Sequence, residues 1–209
     1  MKCEKVYEET FYYQSALSYL EQKSLVKMYL KMRDTFYIPK LKSGHSMNLK
    51  MTCLGLHWSA KDYSYNDIRK DVDNQPVLPF DPILTQLADR FLHSSFPHYS
   101  HGLDIAICNY YAPSSTLGLH KDDSESLESL NRGDPIVSFS VGATCNFQMG
   151  GLKRSNPLKT IELNSGDVLV FGGTDRLRYH GVNKIKSSIL SPFSSFLNNG
   201  RVNFTLRKL

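Results

Sequence analysis

The sequence predicts an α+β protein: an antiparallel, double-sheet β domain with helices on one side. Two observations predict it. Two amphipathic segments lie before Gly102, and eight short strand-like runs follow it, punctuated by turn residues. A length of 209 residues suits one domain. Its expected layout is helices and a lid over residues 1–101 and a β core over 102–209.

The first helix is expected in SALSYLEQKSLVKMYLKM, residues 15–32, where Leu17, Leu20, Leu25, Met28 and Leu30 recur at helical spacing; Pro39 stops any continuation. The second begins at DPILTQLADRFLHSSF, with Asp81 as N-cap, Pro82 in the first turn, and Ile83, Leu84, Leu87, Phe91 and Leu92 as the apolar face. Between them, NLKMTCLGL reads as a strand. The stretch SAKDYSYNDIRKDVDNQP has no clean period and reads as a surface loop or lid. Then come DIAICNYY, TLGLH, PIVSFSVG, CNFQMG, KTIEL, DVLVFG, RYHGV and VNFTLR. Turn pairs such as Ala112-Pro113, Gly150-Gly151 and Gly172-Gly173 separate them.

Composition narrows the classes of function. Lys and Arg number 25 against 20 Asp and Glu, a net charge of +5, which permits a polyanionic partner without requiring one. The four cysteines form no C-x-x-C pair, so a zinc ribbon is not expected and free thiols in a reducing compartment are. The N-terminal MKCEKVYEET lacks the apolar run of a signal peptide, and no apolar run reaches membrane-spanning length. The expectation is a cytoplasmic and/or nuclear protein, monomeric and without a membrane.

The chemistry starts at NYYAPSSTLGLHKDDSE, where His120 and Asp122 stand two residues apart. Side chains on a strand alternate with period two, so both can point the same way. An H-x-D pair alone is as consistent with a polar surface strand as with a metal clamp. His180, in the later run RYHGV, is the candidate third ligand, because a double-sheet barrel can bring early and late strands face to face. Two histidines and one carboxylate leave open positions for a co-substrate and dioxygen, as in non-haem iron(II) oxygenases. At the C-terminus, Arg201 and Arg207 flank Asn203 in RVNFTLR. These arginines either face solvent, or Arg201 forks onto a substrate carboxylate. Trp58 is either a core aromatic or a stacking platform.

The segments NYYAPSSTLGLHKDDSE, PIVSFSVGATCNFQMGGLKR, SGDVLVFGGTDRLRYHGV and RVNFTLR together resemble the AlkB family of Fe(II)- and 2-oxoglutarate-dependent dioxygenases, in order and near the family spacing. The stretch GHSMNLKMTCLGLHWSAKDYSY resembles the family's nucleotide-recognition lid more loosely. The resemblance implies a double-stranded β-helix, or jelly roll, with N-terminal helices packed on one sheet. It implies Fe(2+) as cofactor, held by His120, Asp122 and His180, with 2-oxoglutarate and O2 as co-substrates. Arg201 matches the partner of the distal carboxylate of 2-oxoglutarate; Asn109 and Tyr111 match hydrogen-bonding helpers, and Asn203 and Arg207 lie near the co-substrate's other end. Trp58 matches the aromatic that stacks on a flipped base. Tyr63 and Tyr65 match lid tyrosines near the nucleic-acid backbone, and Arg154 a basic residue on the substrate side. Lys61, Arg69, Lys70 and Lys153 add basic residues that as a group could track phosphates.

The implied reaction is oxidative demethylation of N-methylated bases, such as 1-methyladenine and 3-methylcytosine, in single-stranded or damaged DNA or RNA, with release of formaldehyde, succinate and CO2. Ser124 stands where bacterial-type members carry an acid. That departure implies an altered base preference, and several eukaryotic members with a similar serine favour transfer RNA. Other relatives oxidise protein or lipid. The Ser-rich insertion KSSILSPFSSFLNN, between His180 and Arg201, reads as a mobile loop.

Overall fold

Alternation with period two builds this molecule, because its central strands bury both faces. In the computed structural model, which describes residues 2–186 and 191–209, thirteen strands and three α-helices are present. The strands are β1 (Lys2–Tyr7), β2 (Thr10–Gln14), β3 (Lys50–Leu54), β4 (His57–Ser59), β5 (Ser64–Asn66), β6 (Ile105–Tyr111), β7 (Leu117–His120), β8 (Ile136–Gly142), β9 (Thr144–Met149), β10 (Lys159–Leu163), β11 (Val168–Phe171), β12 (His180–Lys186) and β13 (Arg201–Arg207). The helices are α1 (Tyr19–Met32), α2 (Pro82–Ser95) and α3 (Leu127–Arg132). A seven-stranded sheet in the order β1-β2-β11-β8-β13-β6-β3 faces a four-stranded sheet in the order β10-β9-β12-β7. Pairing within both is antiparallel. This is the expected jelly roll.

The large sheet separates two apolar layers. Val137, Phe139 and Val141 of β8, Val202, Phe204 and Leu206 of β13, and Ala106 and Cys108 of β6 pack outward against Leu25 and Val26 of α1 and Leu84, Leu87, Ala88 and Phe91 of α2. The alternate residues of these strands and of β11 turn inward. Ile107, Tyr111, Ile136, Leu169 and Phe171 meet Phe147, Met149, Ile161 and Val182 between the sheets. Burying a large apolar side chain contributes about 1.5–3 kcal/mol, so these layers fix which face of each strand looks inward.

Four local expectations change. Residues 2–14, unassigned in the sequence reading, form β1 and β2 and extend the large sheet beside β11, so the first 101 residues supply sheet strands as well as helices and a lid. Helix α1 starts at Tyr19, not Ser15: Ser18 caps it, Glu21 completes a capping box, and Ser15 has φ 46°. Its buried stripe is Leu25, Val26 and Met32, and Leu20 faces solvent. The lid stretch holds a hairpin, β4 paired with β5, with Trp58 directly opposite Tyr65. The insertion is anchored at its far end: Phe193 and Leu197 are buried in the helix-side layer, and Phe193 stacks on Tyr19. Residues 187–190 of that insertion lie outside the described residues.

Candidate active site

Strands β7 and β12 carry the two histidines, and their pairing register places His120 opposite His180. Gly181 lets the strands come this close, since a Cβ there would meet Leu117 O at 2.6 Å. The imidazole centroids lie 4.5 Å apart. Asp122 closes the group: its Oδ1 is 3.6 Å from His120 Nε2 and its Oδ2 is 3.6 Å from His180 Nε2. One ligand atom from each residue fits within 4.8 Å of the others.

Each imidazole is oriented through its other nitrogen. His120 Nδ1 donates to Gly118 O and His180 Nδ1 to Arg178 O, both at 3.0 Å. Both Nε2 lone pairs are thereby left facing the common gap, as in protein metal sites. Phe147 stacks on His180, and Phe171 meets it edge-on. Burial, reinforced by neighbouring His180, pushes the His120 imidazole down to about 4, so it is neutral and able to ligate. Burial alone would raise the Asp122 carboxyl, but Arg207 and the two histidines outweigh it and hold it well below the usual carboxylate range. Two imidazole nitrogens and one carboxylate oxygen on one face suit iron(II) with open positions.

The inward residues of β13 continue from this centre. Arg201, Asn203, Thr205 and Arg207 share one face and line a cavity of about 590 Å³, with Asn109 and Tyr111 from β6 and the metal-facing triad. Neither arginine faces solvent. Arg201 is 2% exposed, and its Nη2 donates to Ser140 Oγ at 2.9 Å. Its Nε and Nη1 are buried without a partner. A buried guanidinium with unpartnered donors calls for an anion, and a carboxylate is one that would satisfy it. The site thus fits 2-oxoglutarate on its own chemistry. Asn203 is used differently: its Nδ2 donates to Ser138 Oγ and Phe139 O, and its Oδ1 accepts from Thr205.

At the mouth, Trp58, Tyr63, Ser124 and Arg154 all border the cavity. Trp58 is half-buried and Tyr63 is 50% exposed, their rings 6.0 Å apart. Arg154 is exposed and donates to Leu119 O. Tyr65 is not at the mouth. Its hydroxyl points inward and donates to Glu125 Oε1 at 2.6 Å. Arg69 also leaves the expected phosphate-tracking group, since it is 5% exposed, paired with Asp73 and set over the Tyr37 ring. Lys61, Lys70 and Lys153 are exposed.

Sequence reasoning missed Glu125 and Arg176. Glu125 accepts from Tyr65, from Arg207 Nη1 at 2.7 Å and from Arg176 Nη2 at 2.8 Å. Arg176 also donates to Asp122 O and Asp134 O. Arg207 bridges the group to Asp122 Oδ2 at 2.9 Å. The sequence does contain a signal for the polar wall. In PIVSFSVG, Ser138 and Ser140 break an apolar strand at period two, which marks one polar inward face.

The chain's likenesses agree with this geometry. A profile of the 2OG-Fe(II) oxygenase superfamily matches residues 9–207. A DNA N(6)-methyladenine demethylase, ALKBH1D, from Arabidopsis thaliana is 36% identical over 190 residues, covering 82% of this chain and 42% of that protein. The alpha-ketoglutarate-dependent dioxygenase AlkB of Escherichia coli (strain K12) is 35% identical over 171 residues, covering 79% of this chain and 73% of that protein. The chain therefore spans about two-fifths of the length of its Arabidopsis relatives and most of the bacterial one. The solved structure of OsALKBH1 superposes with a TM-score of 0.86 at 28% identity, covering all of both chains. A prolyl hydroxylase from Trichoplax adhaerens, at 14% identity and a TM-score of 0.58, shares the fold alone. By fold, by the His-Asp-His group and by sequence, the chain belongs to the 2OG-Fe(II) oxygenase superfamily and, within it, to the AlkB family.

Proposed function

We propose that this protein is an iron(II)- and 2-oxoglutarate-dependent dioxygenase that demethylates N-methylated bases in DNA or RNA. The observation that carries the reading is the juxtaposition of the His120, Asp122 and His180 group with the free donors of Arg201, in one cavity whose mouth bears Trp58. The names of its relatives, DNA N(6)-methyladenine demethylase and nucleic acid dioxygenase, support the substrate class. Held by His120, Asp122 and His180, iron(II) with 2-oxoglutarate and dioxygen would supply the oxidation of an N-methyl group to hydroxymethyl, with 2-oxoglutarate leaving as succinate and CO2, and the hydroxymethyl group would then be lost as formaldehyde.

The chain's own residues bind, orient and exclude water. His120, Asp122 and His180 hold the metal on one face. Arg201 grips the distal carboxylate of 2-oxoglutarate, assisted by Asn109 and Tyr111. Arg207 keeps Asp122 ionised and turned toward the metal, and Asn203 braces the wall beside it. The apolar lining of Phe147, Phe171 and Leu169 keeps bulk water from the reacting centre. A base must leave its stack to enter. Trp58 receives it by stacking, worth about 1–3 kcal/mol per base, and a cationic methylated base gains about 0.5–2 kcal/mol more on a π face. Tyr63 and Arg154 meet the backbone beside it. Ser124 borders the base and, with a hydroxyl that both donates and accepts, discriminates bases less sharply than a carboxylate would. The favoured partner is single-stranded or damaged nucleic acid, met by a monomer in the cytoplasm and/or nucleus.

The test is turnover with Fe(II) and 2-oxoglutarate on DNA and RNA oligonucleotides carrying 1-methyladenine, 3-methylcytosine or N6-methyladenine, with nucleosides resolved by mass. Trp58→Ala is expected to lower demethylation about tenfold or more while sparing 2-oxoglutarate turnover without nucleic acid. Ser124→Asp is expected to shift the preference among bases. An unchanged profile in both variants would remove the nucleic-acid assignment and leave the metal centre standing.

A further inference from the structure

Glu125 lies behind the metal-facing group, against Arg207 and Arg176. Its side chain is fully buried, and Arg176 beside it is 1% exposed. Three donors converge on this one carboxylate, and two of them, Tyr65 Oη and Arg207 Nη1, share the same oxygen, Oε1. Arg207's other terminal nitrogen holds Asp122 Oδ2. An unbroken line of short hydrogen bonds therefore runs from Tyr65 through Glu125 and Arg207 to Asp122. Tyr65 is also the cross-strand partner of Trp58 in the β4–β5 hairpin. Directly opposed side chains on a two-stranded ribbon share a face, so the hold on Tyr65 is a hold on the strand pair that carries Trp58.

We propose that Glu125 and Tyr65 are positioning residues that couple the hairpin bearing Trp58 to the metal ligand Asp122. The physical basis is competition for a shared guanidinium. When Asp122 donates to a cation, less of its charge is left for Arg207. The load of Arg207 then shifts to Glu125 Oε1, the oxygen that also accepts from Tyr65. A change at the metal centre thus alters the hold on the hairpin, and by linkage a base pressed against the hairpin alters the affinity of the metal and co-substrate. Arg176 fixes the pivot: it holds the other carboxylate oxygen, the Asp122 backbone carbonyl and the Asp134 carbonyl. Glu125 therefore cannot rotate away when one donor is lost.

This inference rests on Asp122 being a metal ligand, and the test keeps the two claims apart. Trp58 is the sole tryptophan of the chain, so its fluorescence and its quenching by acrylamide report on the hairpin without any nucleic acid. The full chain is loaded with Mn(II) and titrated with 2-oxoglutarate, with occupancy followed by calorimetry. The expected result is a ligand-dependent change in Trp58 quenching that is lost in Tyr65→Phe and in Glu125→Gln at equal occupancy. Both variants are checked for an intact fold by circular dichroism. Tyr65→Phe keeps the ring and removes only the hydroxyl, so it remains informative if Glu125→Gln fails to fold. A response of full size in Tyr65→Phe, or a silent Trp58 in the wild type at saturating 2-oxoglutarate, overturns the coupling. Calorimetry that detects no binding of Mn(II) and 2-oxoglutarate to the wild type overturns the metal assignment, and the coupling with it.

Discussion

Asp122 is held from two sides: by the histidines across the metal gap and by Arg207 behind it. Removing any one of the three metal-facing residues leaves no spare donor among the described residues. Asp122→Ala, His120→Ala and His180→Ala are each expected to abolish turnover and to weaken Mn(II) binding by more than the ~10–100-fold typical of losing an outer partner. A variant that keeps more than about a few per cent of activity, against that expectation, would take its residue out of the metal shell. Arg201 presents the complementary case. Truncating one partner of a buried, charged hydrogen-bonded pair costs about 2–5 kcal/mol, so Arg201→Ala should raise the KM for 2-oxoglutarate about 30-fold or more. Oligonucleotide binding should change far less. An equal fall in both affinities would make Arg201 a general structural residue.

At the scale of elements, the insertion before β13 is where composition misleads. Its serines suggest a floppy loop, yet every third or fourth residue is a large apolar group, and two of these reach the core. Phe193 is 2% exposed and Leu197 is fully buried. Tyr110 donates from its hydroxyl to Leu197 O, and a Cβ at Gly142 would strike Leu197 Cδ1 at 2.5 Å, so the segment fits tightly over the end of β8. Phe193→Ala should cost about 3–5 kcal/mol and lower Tm by about 10 °C for a chain of this size. Loss of less than about 2 °C would mean that the segment contributes no packing.

For the whole molecule, the Glu125 cluster links stability to pH. Burial alone would raise the Glu125 carboxyl, but Arg207 and Arg176 outweigh it and hold it below its ordinary value of 4.5. The unfolded chain therefore takes up a proton first as pH falls. The stabilisation is complete above about 4.5 and is lost as pH drops through the depressed folded-state value. Glu125→Gln should lower Tm at neutral pH, because buried Arg176 loses its carboxylate partner and Arg207 keeps only Asp122, a change worth about 3–5 kcal/mol. Its Tm should then fall less steeply than that of the wild type below pH 4.5. Parallel curves of Tm against pH would exclude Glu125 as the source of the acid sensitivity.

The sequence by itself determined the strands of the core, both long helices and the identity of the metal-facing group. Period-two and helical patterns are local, and an H-x-D pair on a strand shares a face whatever the partner strand is. It also marked Arg201 and Arg207 as a pair on one side of β13. Only the tertiary structure decided which side that was, because solvent and a barrel interior impose the same alternation on a single strand. Strand β2 gained its place from β11, a partner more than 150 residues away in sequence, and the edge strand β1 pairs in turn on β2. Tyr65 illustrates the same limit: its position in the lid suggested an outward role, and its hydroxyl went inward because a buried carboxylate from a distant turn needed a donor. Long-range pairing and the satisfaction of buried charge depend on what the fold brings together, and no window of sequence contains both partners.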